Sequence, residues 1–143
     1  MPRQTAASIF IESALGGEAM TPFKHTQHRP MLYVDVQDAC RAFDLFARKI
    51  LNQGFSREES PSVVNLIAPP PVTIIEFAQT IQKKVIELTH GKIRPKIKVI
   101  DKGIECIYAP REKRLFRIDV SKVRESLGIG KLVTPYESVE RIL

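Results

Sequence analysis

Two arginines, Arg29 and Arg111, are the side chains of this 143-residue chain whose setting asks for a chemical explanation. Arg29 follows a flexible connection and stands just ahead of an apolar run, "MLYV", with Phe23 upstream. Arg111 lies in "YAPREKRLFRID", between two predicted strands or turns. A guanidinium grips two phosphate oxygens at once, so a pair converging on one cleft suits a diphosphate. Pattern alone does not make them converge, and a pair of solvated surface arginines is the simpler reading.

Other reactive side chains have plainer explanations. His25 and His28, in "HTQH", could share one face of a turn, but a metal site needs further ligands and none stands at a suggestive spacing. His90 precedes Gly91 and suits the negative end of a helix. Asp35 and Asp38 could pair for acid–base work, yet both fall where a helix begins, and capping is the simpler role. Cys40 and Cys106 make no disulfide framework and read as small buried apolar residues. No catalytic residue and no metal ligand is assigned. A P-loop, a GxGxxG turn and a GxSxG elbow are absent from the sequence, so no glycine-rich turn is available for a dinucleotide pyrophosphate.

The elements that must carry these residues follow from periodicity and punctuation. A helix is predicted over 5–15, stopped by Gly16-Gly17, then a connection over 16–30 with a short strand around 20–23. An apolar strand is predicted over 31–34, entered through Pro30. From Val36, the spacing of Ala39, Ala42, Phe43, Phe46, Ala47 and Ile50 predicts a helix with one buried stripe. A polar loop covers 52–62, and a strand over 63–67 is closed by Pro69-Pro70-Pro71.

The clearest signal comes next. Thr73 and Glu76 form a capping box, Val72 and Phe77 stand at the positions of a hydrophobic staple, and Ile74, Ala78, Ile81, Val85 and Leu88 line one helical face up to Gly91. Short strands are predicted over 95–100 and 114–118, both alternating basic with apolar residues. Asp119 can cap a helix over 120–127, stopped by Gly128. A second box, Thr134 to Glu137 with Pro135 at the first helical position, opens a terminal helix. The order of strands and helices predicts an α/β chain with α+β character in a single domain, 1–143.

The bulk composition, 43% hydrophobic and 27% charged, is that of a globular domain with a real core. No apolar run approaches the ~20 residues of a membrane span. "MPRQTAAS" lacks a charged region followed by an apolar stretch, so no signal peptide is read and a cytoplasmic location is expected. The net charge of +6 is uneven: residues 1–80 carry 7 basic against 8 acidic side chains, and residues 81–143 carry 15 against 8. That asymmetry suits an anionic partner, although a solvated basic face is the simpler reading of charge alone.

Along nearly its whole length the chain resembles the C-terminal part of the extended short-chain dehydrogenase/reductase family, the NAD-dependent, UDP-glucose 4-epimerase-like nucleotide-sugar epimerases and dehydratases. "PRQ" at residues 2–4 resembles the family's "GPRQ", with Met1 in place of the glycine. "SIFIESALGGEAMTPF" is similar to its next helix and short strand, and "RPMLYVDVQDACRAF" resembles its "R-D-F-x-Y-V-D-D-V-A-x-A" segment. "VVNLIAPPPVTIIEFAQTI" is similar to its "Y-N-x-G-x-G-x-x-x-S-x-x-E-L" segment. "FRIDVSKVRESLGI" resembles "D-x-S-K-A-x-x-x-L-G-W", and "TPYESVERIL" its closing helix.

The resemblance implies a substrate-binding region without its Rossmann half, in which segments 31–52 and 63–90 would pack on the Rossmann sheet. It implies a nucleotide sugar of UDP-sugar type as ligand, NAD bound by the full-length family but not by this chain, and a Rossmann half or a second copy as partner. By resemblance Arg29 contacts the substrate diphosphate, Phe23 and Thr21 line the base site, and Arg111, with Glu112, sits near the family's second phosphate-binding arginine. Pro30, Val36 and Ala68-Pro69 depart from the family pattern. The catalytic Tyr-x-x-x-Lys is missing: Gln37, Glu112 and Glu140 stand four residues after Tyr33, Tyr108 and Tyr136. The rival readings are a basic module tracking nucleic acid through "KIRPKIK" and an oligomeric scaffold. Nucleic acid is disfavoured because residues 92–102 hold no aromatic to stack on bases.

Overall fold

A computed structural model describes the chain over residues 5–53 and 64–143. The "PRQ" match, Val63 and most of the predicted 52–62 loop lie outside these residues. The described chain is a mixture of helices with a small sheet, and it divides into two compact units. One comprises Met1–Met31, Pro71–Phe116 and Tyr136–Leu143; the other comprises Leu32–Pro70 and Arg117–Pro135.

The first unit is built on two helices that pack together, α1 (Ala6–Leu15) and α3 (Ile74–Leu88). Thr5 and Ser8 cap α1 reciprocally: Ser8 N donates to Thr5 Oγ1 at 3.2 Å, and Thr5 N to Ser8 Oγ at 3.0 Å. Phe10 and Ala14 bury its inner face, and Gly17, at φ +74°, takes the left-handed turn that ends it. The predicted box on α3 forms as expected, with Thr73 N donating to Glu76 Oε2 at 2.9 Å and Glu76 N to Thr73 Oγ1 at 3.3 Å. Val72 and Phe77 are buried together with Ile74, Ala78, Ile81 and Val85. Leu88, assigned to the same face, is exposed, because the helix ends there. Gly91 N closes that end on the Ile86 carbonyl at 2.8 Å.

The strands of this unit are shorter than predicted, and proline is the reason. β1 (Pro30–Met31) pairs antiparallel with β2 (Val72–Thr73) and stops there, so the strand expected over 31–34 is not formed beyond Met31. On the partner strand the next residues are Pro71 and Pro70, which have no N–H to give. The segments predicted as strands at 20–23 and 95–100 run parallel but meet only in isolated bridges, Met20 with Ile97 and Phe23 with Ile100. Their hydrogen bonds alternate regularly: Met20 N to Lys96 O, Lys98 N to Met20 O, Ile100 N to Pro22 O, and Lys24 N to Ile100 O. The missing rung is the one Pro22 would donate. The strand predicted over 114–118 is absent. A 3₁₀ turn, Glu112–Leu115, occupies its place, with the N–H groups of Glu112, Arg114 and Phe116 each bonding three residues back. A closing helix, α5 (Pro135–Ile142), buries Val139 and ties to α3 through Lys84 Nζ and Glu140 Oε1 at 2.9 Å.

The second unit sets α2 (Val36–Gln53) on the shorter α4 (Ser121–Leu127). Its core is Ala42, Ala68, Val120, Val123, Ile129 and Leu132. Asp35 caps α2 as expected, its Oδ1 accepting from Gln37 N at 2.9 Å; at α4 the N-cap is Val120 instead, and Asp119, one residue earlier, accepts from Ser121 N at 2.8 Å in a turn that leads into the helix. Asp38 does something else. Only 3% exposed, its carboxylate accepts from Arg41 Nη2 at 2.8 Å and from Val133 N at 2.6 Å, stapling the 131–133 segment to α2. The predicted buried stripe of α2 is also corrected: Ala42 is buried, but Phe43 is 74% exposed and Phe46 and Ile50 about half as much. Residues 64–67 form no strand: Ala68 N donates to the Tyr33 carbonyl at 2.9 Å, but no ladder extends from that bond among the described residues. Among the described residues no helix is long and apolar enough to cross a membrane.

Candidate functional site

Thr21, Phe23, Arg29 and Arg111 all belong to the first unit, and what positions them is the start of α3. Thr73, its N-cap, pairs with Pro30 across the β1–β2 ladder, directly after Arg29. Ile75 N, in the first turn, donates to the Gln27 carbonyl at 3.0 Å. The Arg29 backbone closes a tight turn onto Thr26 O at 2.9 Å, so residues 26–30 are held to the helix from both ends. Arg111 precedes the 3₁₀ turn and its carbonyl accepts from Arg114 N at 3.0 Å. Within that turn Lys113 Nζ reaches both carboxylate oxygens of Glu76, at 2.8 and 2.7 Å. Two arginines more than eighty positions apart are therefore tethered to one four-residue stretch, 73–76, and both are exposed.

Glu76 is the electrostatic centre of this arrangement. Partial burial by itself pushes its carboxyl up, but donation from Lys113 and from Thr73 N outweighs that and holds the group below the usual carboxylate range. It stays an anion, and its charge is spent on Lys113 rather than on a neighbouring arginine.

Phe23 sits in a different local setting. Its bridge to Ile100 brings residues 100–102 alongside, and Lys102 Nζ lies 4.1 Å from its ring centroid. The His25 imidazole stacks on the same ring with centroids 5.7 Å apart and planes 13° from parallel. Lys24 and Asp101 close the flank with an exposed ion pair at 2.7 Å. That hydrogen bond, with help from Gly103 N, holds the Asp101 carboxyl below its ordinary value. Thr21 is exposed between the two bridges.

Cys106 is exposed rather than buried, its Sγ lying 3.5 Å from the Lys24 carbonyl, and Cys40 is exposed on α2. Among the described residues no group of three or more His, Cys, Asp or Glu side chains is placed to hold a metal.

The strand-to-helix junction β2–α3 does not fit a dinucleotide pyrophosphate. Where glycines would let phosphates approach, it carries buried Val72, Thr73 and Ile74, and the Glu76 N–H is already taken by the Thr73 side chain. The Lys113 and Lys102 contacts were not legible from spacing, since each joins residues from distant parts of the chain. The capping box at Glu76 marked one end of the first, and nothing marked the other.

No known family matches the chain, and no curated protein matches it in sequence. Among solved structures it is similar to dTDP-glucose 4,6-dehydratase from Bacillus anthracis, a crystal structure in complex with NAD, with a TM-score of 0.60 at 17% identity. The likeness covers 96% of this chain and 37% of that one, so the chain spans little more than a third of the enzyme's length. At this identity the likeness shows a shared fold: the chain has the fold of one part of that solved structure.

Proposed function

We propose that this chain is the nucleotide-sugar-binding, C-terminal region of an NAD-dependent sugar-nucleotide epimerase or dehydratase, and that it is not catalytic alone. The backbone likeness to dTDP-glucose 4,6-dehydratase over nearly the whole chain carries this reading. The common tether of the Arg29 and Arg111 segments to the start of α3 supports it, since two guanidinium groups on neighbouring segments can share the oxygens of one diphosphate. Arg29 and Arg111 take the phosphate oxygens, while Phe23 and Thr21 line the base. Such a grip positions a sugar for hydride transfer performed by residues outside this chain. NAD belongs to that other part, consistent with the β2–α3 junction and with the missing Tyr-x-x-x-Lys pair.

Isothermal titration of the chain with UDP and with NAD tests the reading. UDP heat without NAD heat is expected, and Arg29→Ala or Arg111→Ala should each weaken UDP by about 10-fold or more. Tight NAD binding with no response to UDP overturns the proposal.

A second property is favoured by one observation. Phe43 and Phe46 line an open apolar groove of about 280 Å³ with Ala42, Val64, Leu66, Val123 and Leu127. Such a surface favours association, with a Rossmann half or with a second copy. Light scattering of wild type against Phe43→Ser is the check: a monomer at every concentration in both would dismiss self-association.

A further inference from the structure

We infer that Glu76 and Lys113 are positioning residues for Arg111: their ion pair fastens the 3₁₀ turn that Arg111 opens to the first turn of α3, and so sets ligand affinity without touching ligand. The inference rests on the proposed role of Arg111 in holding phosphate.

Three observations carry it. No residue of the Glu112–Leu115 turn is buried, and Leu115 and Phe116 are both exposed, so apolar packing does not hold the segment. The Lys113 ammonium instead donates to both oxygens of Glu76, and Lys113 is the more sheltered partner, its side chain 22% exposed. Glu76 in turn cannot swing away, because its Oε2 also accepts the Thr73 N–H at 2.9 Å.

Continuity of the backbone does the rest. Arg111 O accepts from Arg114 N, and Phe116 N donates to Lys113 O, so a fixed Lys113 fixes the residue two positions earlier. A short turn without this anchor would leave the Arg111 guanidinium to sample many directions, and ordering it would be charged against binding. The capping carboxylate thus has two tasks at once, ending a helix and aiming a side chain on a distant segment.

The test uses the full chain and UDP as probe. Glu76→Gln keeps an oxygen for Thr73 N but loses the charge facing Lys113, while Lys113→Met leaves the cap untouched. Each should weaken UDP by about five- to tenfold, and the double variant should lose no more than either alone, the signature of one shared interaction. Lys113→Arg should restore affinity to within about twofold, because the longer fork still reaches the carboxylate. Amide exchange over residues 109–116 should quicken in Lys113→Met while the thermal midpoint stays near wild type.

UDP affinity unchanged in both Glu76→Gln and Lys113→Met, with affinity lost in Arg111→Ala, overturns the positioning role and leaves the nucleotide reading intact. A wild-type chain that gives no UDP heat overturns the nucleotide reading itself.

Discussion

Helices α2 and α3 carry the same kind of sequence signal and meet different fates. Both place large apolar residues every three or four positions. On α3 the stripe from Ile74 through Phe77, Ala78 and Ile81 to Val85 is buried, whereas on α2 Phe43, Phe46 and Ile50 stand open to solvent. The difference is supply. Within its unit α3 has α1 along it, while α2 has the seven-residue α4, which shelters Ala42 and part of Leu45 but leaves Phe43 exposed. An amphipathic pattern says that a face is meant to be covered; it does not say that the cover lies in the same chain.

The sharpest way to break this comparison is a pair of truncations. Phe77→Ala should destabilise the chain by about 3 kcal/mol or more in urea unfolding. Phe43→Ala should shift it by less than about 0.5 kcal/mol, since the ring is already in water. Equal losses would mean that α2 is packed as tightly as α3.

A second substitution asks what holds the α2 unit if its aromatic stripe does not. Asp38→Ala should cost about 2 kcal/mol, because Val133 N and one arm of Arg41 lose their acceptor. A loss near zero would return the burden to the apolar core.

The smallest effect concerns the start of α3 and its partner Lys113 and is read through pH. Glu76 has its folded-state pKa depressed below the ordinary value of 4.5, so its pairing stabilises fully above that value and is lost as pH falls through the folded one. Unfolding midpoints should therefore drop on acidification below about pH 4.5, and Glu76→Gln should flatten that part of the slope by lowering the midpoint at neutral pH, the two proteins converging in acid. An identical slope in the variant would show that other carboxylates carry the acid sensitivity.

Much of the fold was legible because its instructions are short-range. Thr73 and Glu76 are three apart, Gly128 follows the last turn of α4, and Asp35 sits where a helix must begin; each of these motifs worked as its chemistry requires. The strands were over-read because alternation describes faces, while a ladder needs donors from both chains. Pro22, Pro70 and Pro71 withhold them, and beside residues 64–67 the bond from Ala68 N to the Tyr33 carbonyl extends into no ladder among the described residues. Asp38 was over-simplified for a related reason: its partners include Val133, ninety-five residues away.

The candidate site divides along the same line. The residue types at 21, 23, 29 and 111 could be singled out from the sequence, together with the cap that α3 would need. That Arg29 and Arg111 hang from that one helix start, and that Lys113 rather than either arginine neutralises Glu76, was decided by tertiary structure alone. Local conformation depends on neighbours within a turn, which the order of residues states outright. The partner of a charged or apolar face depends on which distant segment arrives beside it, and only the folded chain brings that segment there.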